Sequence, residues 1–229
     1  MGTGRTPGRF ARTTATAAVL AALLIPTTAH AAPAAAPGET ITLPVRDALG
    51  RLPIVDEDRT GYERTAFKHW VDADRDGCST RAEVLLDEAV VAPEQGARCA
   101  LSGGEWYSVY DDRYIQGPSG LDIDDLVPLA EAWDSGASAW SAAEREAYAN
   151  DLGDDRVLIA VSAASNRSKA DQVPATWLPP ASGYRCQYAT DWVADKMRWG
   201  LSVDTDEAEA LADLLGDCPD VPVTVTLAR

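Results

Sequence analysis

The stretch Leu121–Leu129, LDIDDLVPL, decides how this chain is organised. Asp122 and Asp124 alternate with apolar neighbours, which is the period-two pattern of a half-buried strand, so one face of the strand carries both acids. Asp125 follows at the end of the strand. Pro128 then starts a helix, because proline is tolerated in the first helical turn. A strand that ends in acids directly before a helix suits the binding of a cation.

The first 31 residues have the composition of a secretory signal peptide. Three arginines precede an apolar run over 15–25, and Ala-His-Ala at 29–31 is a small-x-small cleavage site. The run is too short to span a bilayer, and no later stretch has the character of a membrane span. We therefore expect a secreted, extracellular protein with no membrane anchor. Residues 32–58 are predicted to be a leader or linker, and residues 59–229 to form the folded domain.

The charge balance limits the ways in which this chain can bind nucleic acid. It carries 36 acidic and 20 basic side chains, a formal net charge of −16. Phosphate affinity comes mainly from lysine and arginine, so a protein that coats DNA is excluded. Binding to nucleic acid would need a metal ion or a local basic patch.

The four cysteines, an even number in a chain with a signal peptide, predict two disulfides. Proximity in sequence favours Cys78 with Cys99 and Cys186 with Cys218. Each bond would contribute roughly 2–4 kcal/mol by restricting the unfolded chain. A zinc site is the weaker alternative, because the sequence has neither a closely spaced cysteine pair nor a histidine cluster.

Capping boxes and apolar spacing predict an α+β fold that is mainly helical. Helices are expected over 46–52, 60–70, 83–91, 127–133, 141–150, 186–199 and 205–215. Strands are expected over 157–161 and 221–227, and residues 105–124 are expected to form an irregular β-hairpin whose second strand carries the acids. The helical spacing of several tryptophans favours a role in the core over a base-stacking platform.

An acidic segment has the spacing of a calcium-binding loop. Asp72, Asp74 and Asp76 are followed by a glycine, and Glu83 is at the twelfth position, as in the D-x-D-x-D-G-x5-E pattern. Ser79 stands at position eight, where such loops carry an apolar residue. The same residues also suit an acidic turn held by a disulfide and followed by a capping box, which needs no ion. A bound Ca²⁺ and an ion-free turn both remain open.

Several short pieces occur in a fixed order along the chain: GYERTAFKHW, DGCSTRAEVL, DIDDLVPLAEAW, AYANDL and NRSKADQVPATW. As an ordered set they resemble the secreted actinobacterial branch of the HNH endonuclease superfamily, the group related to the C-terminal domain of GmrSD restriction enzymes. The resemblance extends over about residues 62–218. It implies a ββα-metal element, in which a hairpin strand ends in Asp-His and a following helix or loop brings an asparagine.

Applied residue by residue, the resemblance implies that Asp124 and Asn166 bind Mg²⁺ or another divalent cation. It implies that Asn150 orients the end of the strand, and that Arg167 and Lys169 contact the phosphate of nucleic acid, which we expect to be DNA. A hard cation takes carboxylate and amide oxygens and polarises a phosphoryl group, which suits these residue types. Asn150 as a simple helix cap and the two basic residues as surface charges are the alternatives.

One departure from the family pattern concerns catalysis, because Asp125 stands where the family has a histidine. Free aspartate has a pKa near ~3.9 and histidine near ~6.5, so aspartate is the poorer base near neutral pH. Loss of a matched base typically costs about 10²–10⁴ in rate. His69 could replace it only if the fold brings it to the site. Arg185, Lys196 and Arg198 could extend a basic strip.

Three functions therefore compete. The first is a metal-dependent endonuclease that hydrolyses phosphodiester bonds, impaired by Asp125. The second is a pseudo-nuclease that binds metal or nucleic acid without cutting. The third is an extracellular domain stabilised by Ca²⁺.

Overall fold

The structure is a computed structural model that describes residues 1–4, 8 and 36–229. The predicted signal peptide lies outside the described residues, apart from residues 1–4 and 8. Residues from 36 onwards belong to one compact unit of mixed helices and strands, which agrees with the predicted α+β class. None of the helices in the described ranges combines the length and the apolar character needed to cross a membrane.

The elements are numbered in chain order. The helices are α1 (Val45–Leu49), α2 (Thr80–Asp87), α3 (Leu129–Asp134), α4 (Ala142–Tyr148), α5 (Ala163–Lys169), α6 (Arg185–Trp199) and α7 (Thr205–Gly216). The strands are β1 (Thr40–Pro44), β2 (Ala89–Val91), β3 (Glu94–Gln95), β4 (Leu101–Ser102), β5 (Glu105–Ser108), β6 (Arg113–Gln116), β7 (Leu121–Asp125), β8 (Leu158–Ser162) and β9 (Pro222–Thr226).

The first and last strands pair with each other. β1 and β9 are antiparallel, with Thr40 opposite Thr226 and Thr42 opposite Thr224, and the hydroxyls of each pair are hydrogen-bonded. α1 follows β1 directly and has Val45 fully buried. Both elements lie within residues 32–58, the segment predicted as leader or linker, so the packed unit starts earlier than predicted.

The acid-bearing strand is not the second strand of a hairpin with residues 105–110, so that prediction was wrong. β5 forms a tight hairpin with β6, and β2 pairs with the other edge of β5. β7 instead pairs antiparallel with β8, which is more than 30 residues away in sequence. Gly117 has a φ of 75° and separates β6 from β7, so the chain turns away from the hairpin before the acids begin.

Strand β8 is buried along its whole length, as its apolar run predicts. Ile159 and Val161 face the main core, while Leu158 and Ala160 face a smaller apolar cluster. The β7–β8 pair therefore lies between two cores. This burial of both faces fixes the register that places the acids of β7.

Residues 60–70 do not form the predicted helix. Only a 3₁₀ turn, Arg64–Ala66, is present, and the backbone is extended on both sides of it. Phe67 is buried and lies in edge contact with the rings of Trp133 and Tyr148. Packing of this aromatic side chain outweighs the local helical preference. The next helix, α2, also differs from prediction, since it starts at Thr80 and gives way to β2.

Both predicted disulfides are present, Cys78 with Cys99 and Cys186 with Cys218. The five tryptophans of the second half of the chain lie in the main core or pack against it, as their spacing predicts: Trp133, Trp140, Trp177, Trp192 and Trp199. They therefore stabilise the fold rather than form an exposed platform for bases.

Candidate functional site

The candidate site is built by two paired strands and the helix that follows the second of them. β7 carries the acids, β8 pairs with it, and α5 begins immediately after β8. The Ser162 hydroxyl caps α5 by accepting a hydrogen bond from the Ser165 backbone N–H at 3.2 Å. This cap ends β8 and starts α5 with no intervening loop, so α5 packs against β7 and meets its acids.

Asp124 is buried and held by two donors. The Tyr110 hydroxyl lies 2.6 Å from Oδ2, and Lys169 Nζ lies 2.9 Å from Oδ1. Burial raises the pKa of Asp124, while the charge and hydrogen bond of Lys169 act in the opposite direction. Burial and the charge of Asp124 raise the pKa of Tyr110 well above its ordinary value, so its hydroxyl remains a donor.

Lys169 does not reach a position where it can contact phosphate, contrary to the sequence-based prediction. Its side chain is fully buried, and its ammonium donates both to Asp124 and to the backbone carbonyl of Asp125 at 3.0 Å. Lys169 therefore positions the two acids from beneath the pocket and does not touch what enters it.

Asp125 lies at the wall of the pocket with 9% of its surface exposed. Burial, followed by the negative charge of Asp124, raises the pKa of Asp125 to about 7. That value lies close to the ordinary pKa of histidine, ~6.5. Burial therefore makes this aspartate a stronger base than a free aspartate side chain.

A pocket of about 190 Å³ opens in front of these acids. Asp124, Asp125 and Asn166 line it, together with the basic side chains of Arg64 and Arg167. The site residues that the resemblance implied for the metal are thus brought together. The pocket combines oxygen donors for a cation with two guanidinium groups at its exposed edge.

Asn166 and Arg167 also contact the other acid of β7. Asn166 Nδ2 donates a long hydrogen bond of 3.4 Å to Asp122 Oδ2, and Arg167 Nε lies 3.8 Å from the same oxygen. Asp122 and Asp124 both face α5, as the alternation in the sequence predicts. The amide oxygen of Asn166 has no hydrogen-bond partner among the described residues, so it can serve a ligand in the pocket.

Arg64 is a pocket residue that sequence reasoning missed. It stands on the 3₁₀ turn that replaces the predicted helix, some 60 residues before β7. Its charge lowers the pKa values of Asp124 and Asp125 against the effect of burial. No local pattern in the sequence indicates this placement, because it results from how the extended segment packs.

Asn150 and His69 lie away from the pocket. The Asn150 amide donates to the carbonyls of Lys68 and Glu146, and its oxygen accepts from Val71 N–H and from the Thr80 hydroxyl. It joins the end of α4 to the start of α2 and does not contact β7. His69 Nδ1 lies 3.1 Å from the Phe67 carbonyl, and its ring packs on Trp70. The structure does not bring His69 to the acids as a substitute base.

The predicted basic strip is not present. Lys196 is fully buried and bonded to Glu131 and Glu207, and Arg198 is buried and bonded to Asp151. Arg185 donates to the Pro179 carbonyl at 2.9 Å. These residues stabilise α6 through internal contacts, which makes Arg64 and Arg167 the basic side chains of this site.

The acidic segment at 72–76 brings its carboxylates together. Oxygens of Asp72, Asp74 and Asp76 lie within 4.8 Å of one another, and all three side chains are exposed. Each also accepts a backbone N–H of its own turn, as an ion-free acidic turn does. Burial and the charges of these aspartates raise the pKa of the nearby Glu83. The segment lacks the helix that precedes a calcium loop in a helix-loop-helix unit.

A larger cavity, of about 630 Å³, lies beside α2. Among the described residues, its lining includes no lysine or arginine. It includes seven acids: Asp74, Glu83, Asp87, Glu88, Asp151, Asp154 and Asp155. Such a wall repels phosphate. The smaller pocket in front of β7 is therefore the better candidate for nucleic-acid chemistry.

Residues 83–214 match the family described as GmrSD restriction endonucleases, C-terminal domain. A relative from Arthroderma benhamiae, named an uncharacterized secreted protein, is 39% identical over 158 residues, which make up 69% of this chain and 76% of the relative. No solved structure matches the chain significantly. The family match includes β7, β8 and α5 and covers more than half of the 229 residues. This chain belongs to the family of the C-terminal domain of GmrSD restriction endonucleases.

Proposed function

We propose that this protein is a secreted, metal-dependent endonuclease of the HNH type that hydrolyses phosphodiester bonds in DNA. The observation that carries the proposal is the pocket that unites Asp124, Asp125 and Asn166 with Arg64 and Arg167. Membership of a family of restriction endonuclease domains supports the same class of reaction. In this proposal β7, β8 and α5 are the ββα-metal element, and the chain is a member of the secreted actinobacterial branch.

The donor set suits a hard divalent cation such as Mg²⁺. Asp124, Asp125 and Asn166 offer oxygen atoms, and two adjacent buried acids share one buried lysine, so a further positive charge would be stabilising. Each oxygen of Asp124 already accepts a hydrogen bond but keeps a second lone pair. Asp124 and Asn166 would hold the cation, which polarises a phosphoryl oxygen when bound.

Asp125 is the general base of the proposed reaction. Its carboxylate takes a proton from the attacking water, and a base works best when its pKa lies near the working pH. Without a bound cation, burial raises the pKa of Asp125 to about 7, and a cation at Asp124 would lower it from that value. Burial therefore moves Asp125 towards the basicity that a histidine would supply. The Lys169 ammonium donates a hydrogen bond to the backbone carbonyl of Asp125 and so holds that backbone in place.

Arg64 and Arg167 bind the phosphate in this proposal. Both side chains are exposed at the pocket edge, and guanidinium groups suit bidentate contact with phosphate oxygens. A local pair of arginines is what a chain with a net charge of −16 needs to hold a polyanion.

Secretion is supported by two observations. The two disulfides suit an oxidising compartment, and the relative from Arthroderma benhamiae is named a secreted protein. The protein would therefore act on extracellular nucleic acid.

A pseudo-nuclease is the second candidate. It is favoured by the hydrogen bonds that both carboxylate oxygens of Asp124 already accept. Tyr110 and Lys169 already satisfy both oxygens, as they would in a site that has lost its cation. In that case the pocket would bind nucleic acid without cutting it.

Plasmid nicking by the purified mature protein in Mg²⁺ or Mn²⁺ tests these alternatives. We expect nicking that EDTA abolishes, and a loss of about 10²–10⁴ in rate for Asp125→Asn. The matched control is Asp112→Asn, an exposed acid in the β5–β6 turn with a φ of 52°, a conformation that asparagine tolerates. A silent parent whose Asp125→His variant cuts would identify a pseudo-nuclease. Silence of both would remove catalysis from the proposal.

A further inference from the structure

A second group of carboxylates lies where α3 meets the segment that precedes residue 60. Oxygens of Glu57, Glu131 and Asp134 lie within 4.8 Å of one another. Glu131 and Asp134 are three residues apart on α3, so their side chains project from the same face of the helix. Glu57 is exposed and approaches from the preceding loop. None of the three lines the pocket in front of β7.

Two oxygens of this group are buried without a partner. Glu131 is 1% exposed and Asp134 is 8% exposed. One oxygen of each is satisfied, Glu131 Oε1 by Lys196 Nζ at 2.5 Å and Asp134 Oδ2 by Arg59 Nε at 2.5 Å. In the described part of the chain, Glu131 Oε2 and Asp134 Oδ1 have no hydrogen-bond partner. A buried carboxylate oxygen without a partner is costly, so both atoms need a partner, and a cation is one that can satisfy them together.

The charges around the group remain unbalanced. Asp204 and Glu207 also lie within 4.8 Å of Glu57, so five carboxylates face the two basic side chains of Lys196 and Arg59. Burial, followed by the charge of Glu131, raises the pKa of Glu57 to about 8, so Glu57 would release its proton when a cation binds.

The free oxygens are on the α3 side of Glu57. Glu207 uses both of its oxygens, one for Trp192 Nε1 and one for Lys196 Nζ. Asp204 caps α7 by accepting the Glu207 backbone N–H at 2.6 Å. A ligand would therefore lie between Glu57 and α3 rather than between Glu57 and α7.

We propose that Glu57, Glu131 and Asp134 bind a calcium ion. Ca²⁺ accepts an irregular set of six to eight oxygens and tolerates waters on an exposed side, whereas Mg²⁺ demands near-octahedral geometry and zinc favours nitrogen and sulfur. The partly buried set, open at Glu57, resembles sites of extracellular modules, which bind with a Kd of about 10⁻⁴–10⁻³ M. This ion would join residues 53–59 to α3. The calcium site is separate from the proposed nuclease site, and the proposal does not depend on nuclease activity.

Calorimetric titration of the mature protein with CaCl₂ tests the proposal. The parent and all variants carry Asp74→Asn. This change weakens calcium binding by the acidic turn at 72–76, so that the turn contributes less to the measured heat. We expect Glu57→Gln to bind one calcium ion fewer than its parent. Asp56→Asn is the matched control, because it removes the same charge one residue away and Asp56 is exposed and outside both carboxylate groups.

Thermal unfolding gives a second readout. Calcium should raise the Tm of the parent and of Asp56→Asn by more than that of Glu57→Gln, which lacks only this one site. In EDTA, Glu57→Gln should be at least as stable as the parent, because it relieves repulsion among the acids. Glu57→Asp should retain a weaker site. Equal calcium stoichiometry in Glu57→Gln and Asp56→Asn, or no calcium binding by the parent, would overturn the proposal, and neither result depends on nuclease activity.

Discussion

The ammonium of Lys169 lies 2.9 Å from Asp124 Oδ1 and 2.8 Å from Oδ2, with both side chains buried. A third contact, to the Asp125 carbonyl, joins the same ammonium to the next residue of β7. One side chain of α5 thus fixes both acids. Lys169 is fully buried and Asp124 is only 5% exposed, so removal of either partner leaves a poorly solvated charge.

Replacement of Lys169 by methionine should destabilise the protein strongly. A buried ion pair that loses one partner typically costs about 3–5 kcal/mol. Urea unfolding followed by tryptophan fluorescence measures the change in free energy. Arg167→Met, which alters an exposed side chain on the same helix, is the control and should cost far less. Adding Asp124→Asn to Lys169→Met should recover part of the loss. Equal costs for the two single variants would contradict the buried pair.

Catalysis should depend on pH through Asp125. A general base must be deprotonated, so kcat/KM should rise with pH and level off at or below pH 7, since burial raises the pKa of Asp125 to about 7 and a bound cation would lower it from there. Asp125→Asn should lose this rise together with most of the activity. Cleavage rates between pH 5 and 9 test this, and Asp112→Asn should keep the profile of the parent. A flat profile in an active parent would assign the base to another group.

Arg64 and Arg167 should govern the affinity for DNA. Alanine at either position should raise KM several-fold and reduce the slope of log affinity against log salt by roughly one, because one phosphate contact is lost. Arg113→Ala serves as the control, since Arg113 is an exposed basic residue of β6 that does not line the pocket. An effect of Arg113→Ala as large as that of Arg64→Ala would point to general electrostatics instead of a defined contact.

Stability should fall as the pH rises from 4.5 to 7, in part through Glu88. Its Oε2 accepts the Ala160 backbone N–H at 2.9 Å, and burial raises the pKa of Glu88 from 4.5 to about 7. Between these values the folded protein keeps a proton that the unfolded chain has released, so Glu88 reduces stability as pH increases and has a constant effect above 7.

Glu88→Gln should remove this contribution, which is on the order of 3 kcal/mol. The difference in unfolding free energy between variant and parent should therefore grow from pH 4.5 to 7 in favour of the variant. Glu94→Gln, an exposed change on β3, should leave the pH dependence unaltered. Parallel curves for Glu88→Gln and the parent would contradict the raised pKa.

Local patterns predicted the elements that build the site but not their pairing. The alternation in β7, the apolar run of β8 and the capping box of α4 are properties of neighbouring residues, and the structure has all three. The choice of β8 as partner of β7 depends on packing between two cores, which no local pattern encodes. The segment around Arg64 is likewise extended despite the helical pattern of its sequence, because burial of Phe67 outweighs that local preference.

Like strand pairing, the burial of a charged side chain cannot be predicted from residue type alone. Lys169 and Lys196 have the appearance of surface charges in the sequence, yet both are fully buried ion-pair partners. The same cause raises the pKa of Asp125, so its basicity is a property of the fold. The disulfides were more accessible to prediction, because four cysteines at such separations allow few pairings.

Pairing of β1 with β9 joins hydroxyls that are 186 residues apart, Thr40 with Thr226. A contact of such high sequence separation carries a large loop-closure entropy and tends to form late in folding. In this two-stranded sheet each strand covers one backbone edge of the other, so a protease that removes either end would leave the partner strand with both edges unpaired and open to intermolecular association. We therefore expect loss of either end to make the folded unit more prone to aggregation.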